Sequence, residues 1–310
     1  MNLKNRCAAL RGNSHHTKKS FALGTGKISH ERRFCIVGGD MEETFVKTAG
    51  FGDNLPGEAA ALRWLAEAEP AGGIRVVRVL RVSPDELVEE RVATGVPSAA
   101  AARRIGAGLA RLHAAGAPWY GCVPDGWNGD PWCGRARTPY VAREDASATW
   151  GAFFAEHRVM NYVRTLVDQG DFGPSELRLF ERVSARLASG QFDAPQPALV
   201  REAGAPCARL HGDLWAGNVL WDADPSAPTG GVLIDPMAYG GHAETDLAML
   251  ALFGYPFLDD VLRGYDETSP LADGWQERVG LHQLAPLLLH CVLFGGWYLA
   301  EAVSTARRYA

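Results

Sequence analysis

Apolar positions alternate with polar ones near the front of the chain and recur at helical spacing behind it. Phe21-Ala-Leu enters a Gly24-Thr-Gly26 turn, Ile28 to Val37 reads as a strand, and Gly38-Gly39-Asp40 signals a hairpin. Glu43 to Thr48 is a second strand, and its period of two places Phe45 and Lys47 on the same face. Leu55-Pro56-Gly57-Glu58 opens a helix, with proline at an early position where a missing N–H is harmless. Two more strands are expected over Arg75–Val82 and Glu86–Val92, followed by a Gly/Pro-bearing connection, Ala93 to Pro97. That connection sets an expected boundary, with a front lobe at 1–94 (1–19 a tail or short helix) and a back lobe at 95–310.

Behind the boundary the pattern is helical. Ser98 is a good N-cap for a helix through Arg104, Leu109 and Leu112 to His113. Residues 116–146 are rich in Gly, Pro and Trp and show no clear period. Trp150–Asp168 and Glu176–Ser189 read as helices, and short apolar pieces at Leu210–Trp221 and Gly231–Asp235 flank polar motifs. The longest apolar stretch, Leu284 to Ala300, contains Pro286 and His290 and falls short of the roughly 20 residues of a membrane span, so a buried helix is expected. The fold class expected is α+β and two-lobed: a small antiparallel sheet lobe with one helix, then a larger helical lobe, with a ligand cleft between them.

Composition narrows the function classes. With 47% hydrophobic and 22% charged residues and a net charge of −5, the 310-residue chain has no nucleic-acid or anionic-membrane footprint. Residues 1–33 hold eight Lys/Arg against Glu31, which fits a frayed tail better than a transit peptide. Six cysteines without a C-x-x-C pair suggest reduced thiols and a cytoplasmic setting, as monomer or homodimer; Cys35 lies near the glycine turn.

The chemistry concentrates in His211-Gly-Asp213-Leu-Trp-Ala-Gly-Asn218, followed by Val232-Leu-Ile-Asp235-Pro236. Asp213 and Asn218 have the five-residue spacing of the kinase catalytic loop, and Asp235 ends a hydrophobic strand. Phosphoryl transfer needs a carboxylate to deprotonate the acceptor hydroxyl and oxygen ligands for Mg²⁺. Asp213 suits the first role; Asn218 and Asp235 suit the second. Such a site also needs a glycine turn over the phosphates of ATP, a strand lysine, and a helix glutamate to orient it. Gly24, Gly26, Lys47 and Glu58 occur in that order. Two look-alikes are set aside. Asp171-Phe172-Gly173 precedes the catalytic loop and reads as a helix–helix turn, while the glycine run ending in Lys27-Ile-Ser29 lacks the spacing of a P-loop.

H-G-D-L-W-A-G-N, L-I-D-P-M-A-Y-G-G-H-A-E-T-D-L, T-W-G-A-F-F-A-E-H-R and L-H-Q-L-A-P-L-L-L-H-C-V-L-F-G-G together resemble the fructosamine kinase (ketosamine 3-kinase) family, from about Leu23 to Tyr309. Trp215 is the most specific piece, since aminoglycoside and choline kinases share the H-G-D…N…D logic but usually not that tryptophan. The resemblance implies a protein-kinase-like fold and adenine at a hinge near Glu90-Arg91-Val92, with Glu90 and Val92 as ATP-site residues. It also implies transfer of the ATP γ-phosphate to O3 of a small-molecule or protein-bound ketosamine, after which the adduct falls apart and frees the amine. By the same analogy Trp215 walls the sugar pocket, and Glu244 and Asp246 serve cleft structure or substrate contact. Residues 122–146, Ala285 and Leu289 depart from the family pattern and bear on substrate choice. An aminoglycoside or choline kinase, and a nucleotide-binding pseudokinase, are the competing readings.

Overall fold

The computed structural model describes residues 31–310 apart from 38–39, 51–53, 128, 130–131 and 134–135. The basic tail, the Gly24–Gly26 turn and the Lys27 run therefore lie outside the described residues, as do the tips of the first hairpin. In the front lobe β1 (Glu31–Val37) and β2 (Asp40–Thr48) pair antiparallel, and β2 continues onto β5 (Glu86–Glu90), which pairs with β4 (Val79–Val82). The helix α1 (Leu55–Ala66) packs on this sheet; the Asn54 side chain accepts from the Gly57 amide at 3.0 Å and so caps it.

The expected strand Arg75–Val82 is divided between two sheets. Its first part, β3 (Arg75–Val76), runs parallel to β10 (Gly231–Leu233) of the back lobe, which also pairs with β9 (Val219–Trp221). The Val77 amide donates to Leu233 O at 2.9 Å, and the chain then crosses to the front sheet. A period-two pattern fits both halves and so cannot reveal the change of partner.

The back lobe is mainly helical: α2 (Ala99–Ala114), α3 (Trp150–Phe154), α4 (Asn161–Asp168), α5 (Pro174–Ala188), α6 (Ala198–Glu202), α7 (Glu244–Leu252), α8 (Leu258–Thr268), α9 (Trp275–His282), α10 (Leu284–Phe294) and α11 (Trp297–Arg307). Small ribbons, β6 (Trp132–Cys133) with β7 (Ala136–Arg137) and β8 (Ala208–Leu210) with β11 (Tyr239–Gly241), complete it. Ser98 caps α2 as the sequence implied, its hydroxyl accepting from Ala101 N at 3.2 Å. The run Trp150–Asp168 is interrupted by a π-helical turn, Ala155–Met160. The Asp171-Phe172-Gly173 triplet is a helix–helix turn: Asp171 and Phe172 amides return to Leu166 O, and Gly173 precedes α5. The apolar stretch Leu284–Ala300 is two helices, broken where Gly295 and Gly296 take φ of 60° and 62°, a region closed to most side chains. Among the described residues no helix is long and apolar enough to cross a membrane.

One helix crossing underlies the back lobe. Helices α2 and α8 approach until a Cβ on Gly106 would stand 1.9 Å from Val261 O, and one on Gly264 would stand 2.1 Å from Arg103 O. Backbone offers no flexible end to give way, so added methyl groups must push the helices apart. Gly264→Ala is expected to cost about 2–4 kcal/mol of unfolding free energy, measured by urea denaturation; a loss under about 0.5 kcal/mol would show that the crossing relaxes freely.

Candidate active site

The cleft is organised around one buried ammonium group. Strand β2 carries Lys47 inward with only 5% of its surface exposed. Its Nζ donates to Glu58 Oε1 from α1 and to Asp235 Oδ1 from the segment after β10, and stands 3.5 Å from Glu89 Oε2 on β5. Burial works against the charged ammonium, yet Glu58, Asp235 and Glu89 hold its pKa above the usual lysine value. Asp235 takes φ of 54°, left-handed backbone in a non-glycine residue. Such conformations persist where surrounding structure enforces them and gather at functional sites.

The catalytic-loop segment meets this node from the back lobe. Asn218 Nδ2 donates to Asp213 O at 2.9 Å, Asp213 Oδ2 at 3.0 Å and Asp235 O at 3.3 Å. One amide thus ties the two carboxylate-bearing residues together. Asp213 is half-buried beside the pocket it lines, and desolvation pushes its carboxyl up to about 7 against the opposing Asn218 hydrogen bond, with Asp235 and Asp246 adding to the push. The sequence reading of Lys47, Glu58, Asp213, Asn218 and Asp235 therefore describes residues that share one place.

Asp246 supports the loop from beneath. It accepts from the amides of His211 at 2.7 Å and Gly212 at 3.0 Å and lies 3.2 Å from His113 Nε2. His211 in turn reaches Ile234 O at 2.9 Å through Nε2, while its Nδ1 accepts from Asp213 N at 3.2 Å. Asp246 is 1% exposed and its oxygens hold these donors, so of the two expected roles, cleft structure or substrate contact, it takes the first, as a positioning residue.

Glu244 likewise takes the structural one of the two roles that the resemblance implies. It is buried, bound by Arg278 through Nε at 2.8 Å and Nη2 at 2.6 Å, and by His282 Nε2 at 3.2 Å. These partners overcome burial and hold its carboxyl down to about 2. His242 completes a cluster with metal-ligand spacing, but its nitrogens are engaged: Nδ1 accepts from Glu244 N, and Nε2 lies 3.2 Å from Ala194 O. Burial holds His242 down to about 4. The cluster is an ion-paired core element. Trp215 folds its ring back over Gly217, where an added Cβ would stand 2.3 Å from it, and is absent from the pocket that Asp213 lines. Glu90 accepts from Arg75 Nη2 at 2.9 Å and from Arg78 N at 3.1 Å, bracing the strand end before Val92.

Sequence reasoning missed Glu89 and Arg158. Strand alternation could have found Glu89, because β5 pairs Leu87 with Lys47 and so places Glu89 on the lysine face. Arg158 ends the T-W-G-A-F-F-A-E-H-R run and lines a pocket with Asp213, Tyr140, Met249, Ala285 and Leu289. The two departing positions, Ala285 and Leu289, thus border the cavity beside Asp213.

The donor set fits a hard cation. With Nδ2 of Asn218 turned to Asp213 and Asp235, its Oδ1 is the atom left to ligate, and Asp235 has a second carboxylate oxygen beyond the one on Lys47; amide and carboxylate oxygens are the ligands Mg²⁺ takes.

Burial pushes Glu89 up to about 7 from an ordinary value of 4.5, with Lys47 opposing. Between those values the folded chain keeps a proton that the unfolded chain releases, so stability falls as pH rises through the window. Glu89→Gln is expected to remove that fall and to gain on the order of 1–2 kcal/mol at pH 8. Parallel pH–stability curves for the two proteins would place the proton elsewhere.

The comparisons agree with this geometry. A family model described as fructosamine kinase matches residues 1–309. A Synechocystis protein named provisionally as a ketoamine kinase is 36% identical over 203 residues, 64% of this chain and 59% of its own length. The match thus spans less than two thirds of that relative. A crystal structure from Thermobifida fusca, assigned to fructosamine-3-kinase, is 37% identical with a TM-score of 0.74, covering 91% of this chain and 93% of its own. The choline kinase LicA of Streptococcus pneumoniae shares the fold alone, at 13% identity and TM-score 0.55 over 93% of this chain and 92% of its own. The two lobes are those of the protein-kinase-like fold, and the chain belongs to the fructosamine kinase family.

Proposed function

We propose that this chain is an ATP-dependent ketosamine kinase, transferring the γ-phosphoryl group to the O3 hydroxyl of a sugar–amine adduct and so initiating release of the amine. The observation that carries the reading is the meeting of Lys47, Glu58, Asp213, Asn218 and Asp235 at one cleft. Lys47 and Asp235 now neutralise each other; with nucleotide bound, Lys47 would hold phosphate oxygens while Glu58 keeps the ammonium aimed. Asn218 and Asp235 would hold Mg²⁺, which when bound screens the triphosphate charge. Asp213 would accept the proton of the attacking hydroxyl, and a carboxyl near 7 suits a base at neutral pH. Asn218 fixes that carboxylate through Oδ2. A pseudokinase reading is disfavoured because the complete set is assembled, and the family match favours ketosamines over choline or aminoglycosides. Glu90 and Val92 are assigned to the adenine edge, Glu90 as a brace, and the role belongs to a cytoplasmic repair enzyme.

Three outcomes test this. ADP release is expected with ribulose-, erythrulose- or fructose-lysine and not with choline or an aminoglycoside; the reverse pattern would overturn the acceptor class. Asp213→Asn is expected to lower kcat about 10²- to 10⁴-fold with ATP affinity retained; unchanged turnover would remove Asp213 from its role. Because the base must be deprotonated, kcat is expected to rise with pH through about 7, the value to which burial pushes Asp213. A profile flat from pH 5.5 to 8.5 would contradict it.

A further inference from the structure

Arg158 lines the pocket beside Asp213, and two of its buried donors are left over by the protein. The residue sits on the π-helical turn Ala155–Met160, a distortion that recurs at functional sites. Its guanidinium lies 4.3 Å from the Tyr239 ring centroid and 4.8 Å from that of Phe153, which fixes its plane. Nη1 donates to Pro139 O at 2.9 Å and His157 O at 3.0 Å, which fixes its rotation. Nε and Nη2 are buried and meet no acceptor among the described residues, although the residue is only 2% exposed. The Tyr239 phenol is the nearest competitor for these donors: the Arg158 charge and a side-chain hydrogen bond too poorly formed to satisfy Nε or Nη2 oppose the upward push of burial on it.

Nε and Nη2 share one edge of a planar group, the arrangement by which arginine grips two oxygens at once. Buried charged donors left without acceptors are costly, so an edge held this rigidly is matched to something that enters the pocket. The charge balance indicates what enters. Asp213 and Asp246 line the same cavity, two carboxyls to one guanidinium, which disfavours an anion and suits neutral hydroxyl or carbonyl oxygens. Met249, Ala285, Pro286 and Leu289 border the cavity as an apolar surface, which suits the less oxygenated part of an acceptor.

We propose that Arg158 anchors the acceptor: its Nε–Nη2 edge donates to two neighbouring oxygens of the sugar half, presenting the adjacent hydroxyl to Asp213, while the amine half lies along Met249 and α10. The proposal rests on the ketosamine-kinase reading and adds the residue that orients the sugar. Arg158 acts by binding and orientation, with no bond made or broken at the guanidinium.

The test compares Arg158→Met and Arg158→Lys with the wild type, using a ketosamine and its analogue lacking the hydroxyl next to O3. Arg158→Met is expected to raise the acceptor KM about 30- to 100-fold with the ATP KM within about twofold. Arg158→Lys keeps a charge but loses the two-pronged edge, and is expected to recover less than about a tenth of that loss. The wild type should disfavour the deoxy analogue about tenfold, and Arg158→Met should show little further penalty, since the lost hydroxyl has already lost its donor. If Arg158→Met does not fold, Arg158→Lys with the same analogue pair carries the test. An unchanged acceptor KM, or an undiminished deoxy penalty in both variants, would overturn the anchor and leave a structural role. A preference for adducts with a carboxylate on the amine, lost in the variants, would overturn it in favour of an anion site. Failure of the wild type on every ketosamine would bring down the kinase reading itself, a distinct pattern.

Discussion

A single buried lysine ammonium facing three carboxylates sets the terms for the cleft. Glu58, Glu89 and Asp235 reach Lys47 from α1, β5 and the segment after β10, so the contact joins the front sheet, its helix and the back lobe. Removing a partner from a buried ion pair typically costs about 3–5 kcal/mol, because the charge left behind is uncompensated. Here the imbalance runs the other way, with an excess of negative charge around one cation. The excess accounts in part for the high pKa of Glu89, after burial itself, and it leaves Asp235 as the carboxylate most open to exchange partners, its side chain being 46% exposed. A site in this state suits the ligand proposed for it, one that brings both a cation and phosphate oxygens.

The catalytic loop depends on a second chain of contacts that begins far from the cleft. Close approach at Gly106 and Gly264 brings α8 against α2, so that the Tyr265 hydroxyl lies 2.8 Å from His113 Nδ1. The other nitrogen of His113 meets Asp246, and Asp246 holds the amides of His211 and Gly212, just before Asp213. Two glycines without chemistry thereby fix the height of the proposed base. The chain also gives Asp246 its positioning role: its oxygens hold the loop.

Much of this was legible because short-range rules governed it. The Ser98 cap, the strand alternation placing Phe45 and Lys47 on one face, and the Asp213–Asn218–Asp235 spacing each depend on local backbone geometry. What escaped depended on partners distant in sequence. The split of Arg75–Val82 reflects pairing with β10, where Arg75 faces Val232 and Val76 faces Leu233. The break at Gly295–Gly296 was hidden because the apolar run continues across it. The Arg278 and His282 partners that settle Glu244 between its two expected roles are distant in sequence, and Arg158 stood in a quoted motif without any sign of the π-helical turn that carries it or of the pocket it lines.

The convergence of Lys47 and Asp235 on one ligand is tested most directly by a double-mutant cycle. Mg-ATP affinity would be measured by calorimetry for the wild type, Lys47→Met, Asp235→Asn and the double variant. Residues that grip two parts of the same bound species should couple, with the second loss smaller than the first by at least about 1 kcal/mol. Strictly additive losses would mean that the two side chains serve separate sites.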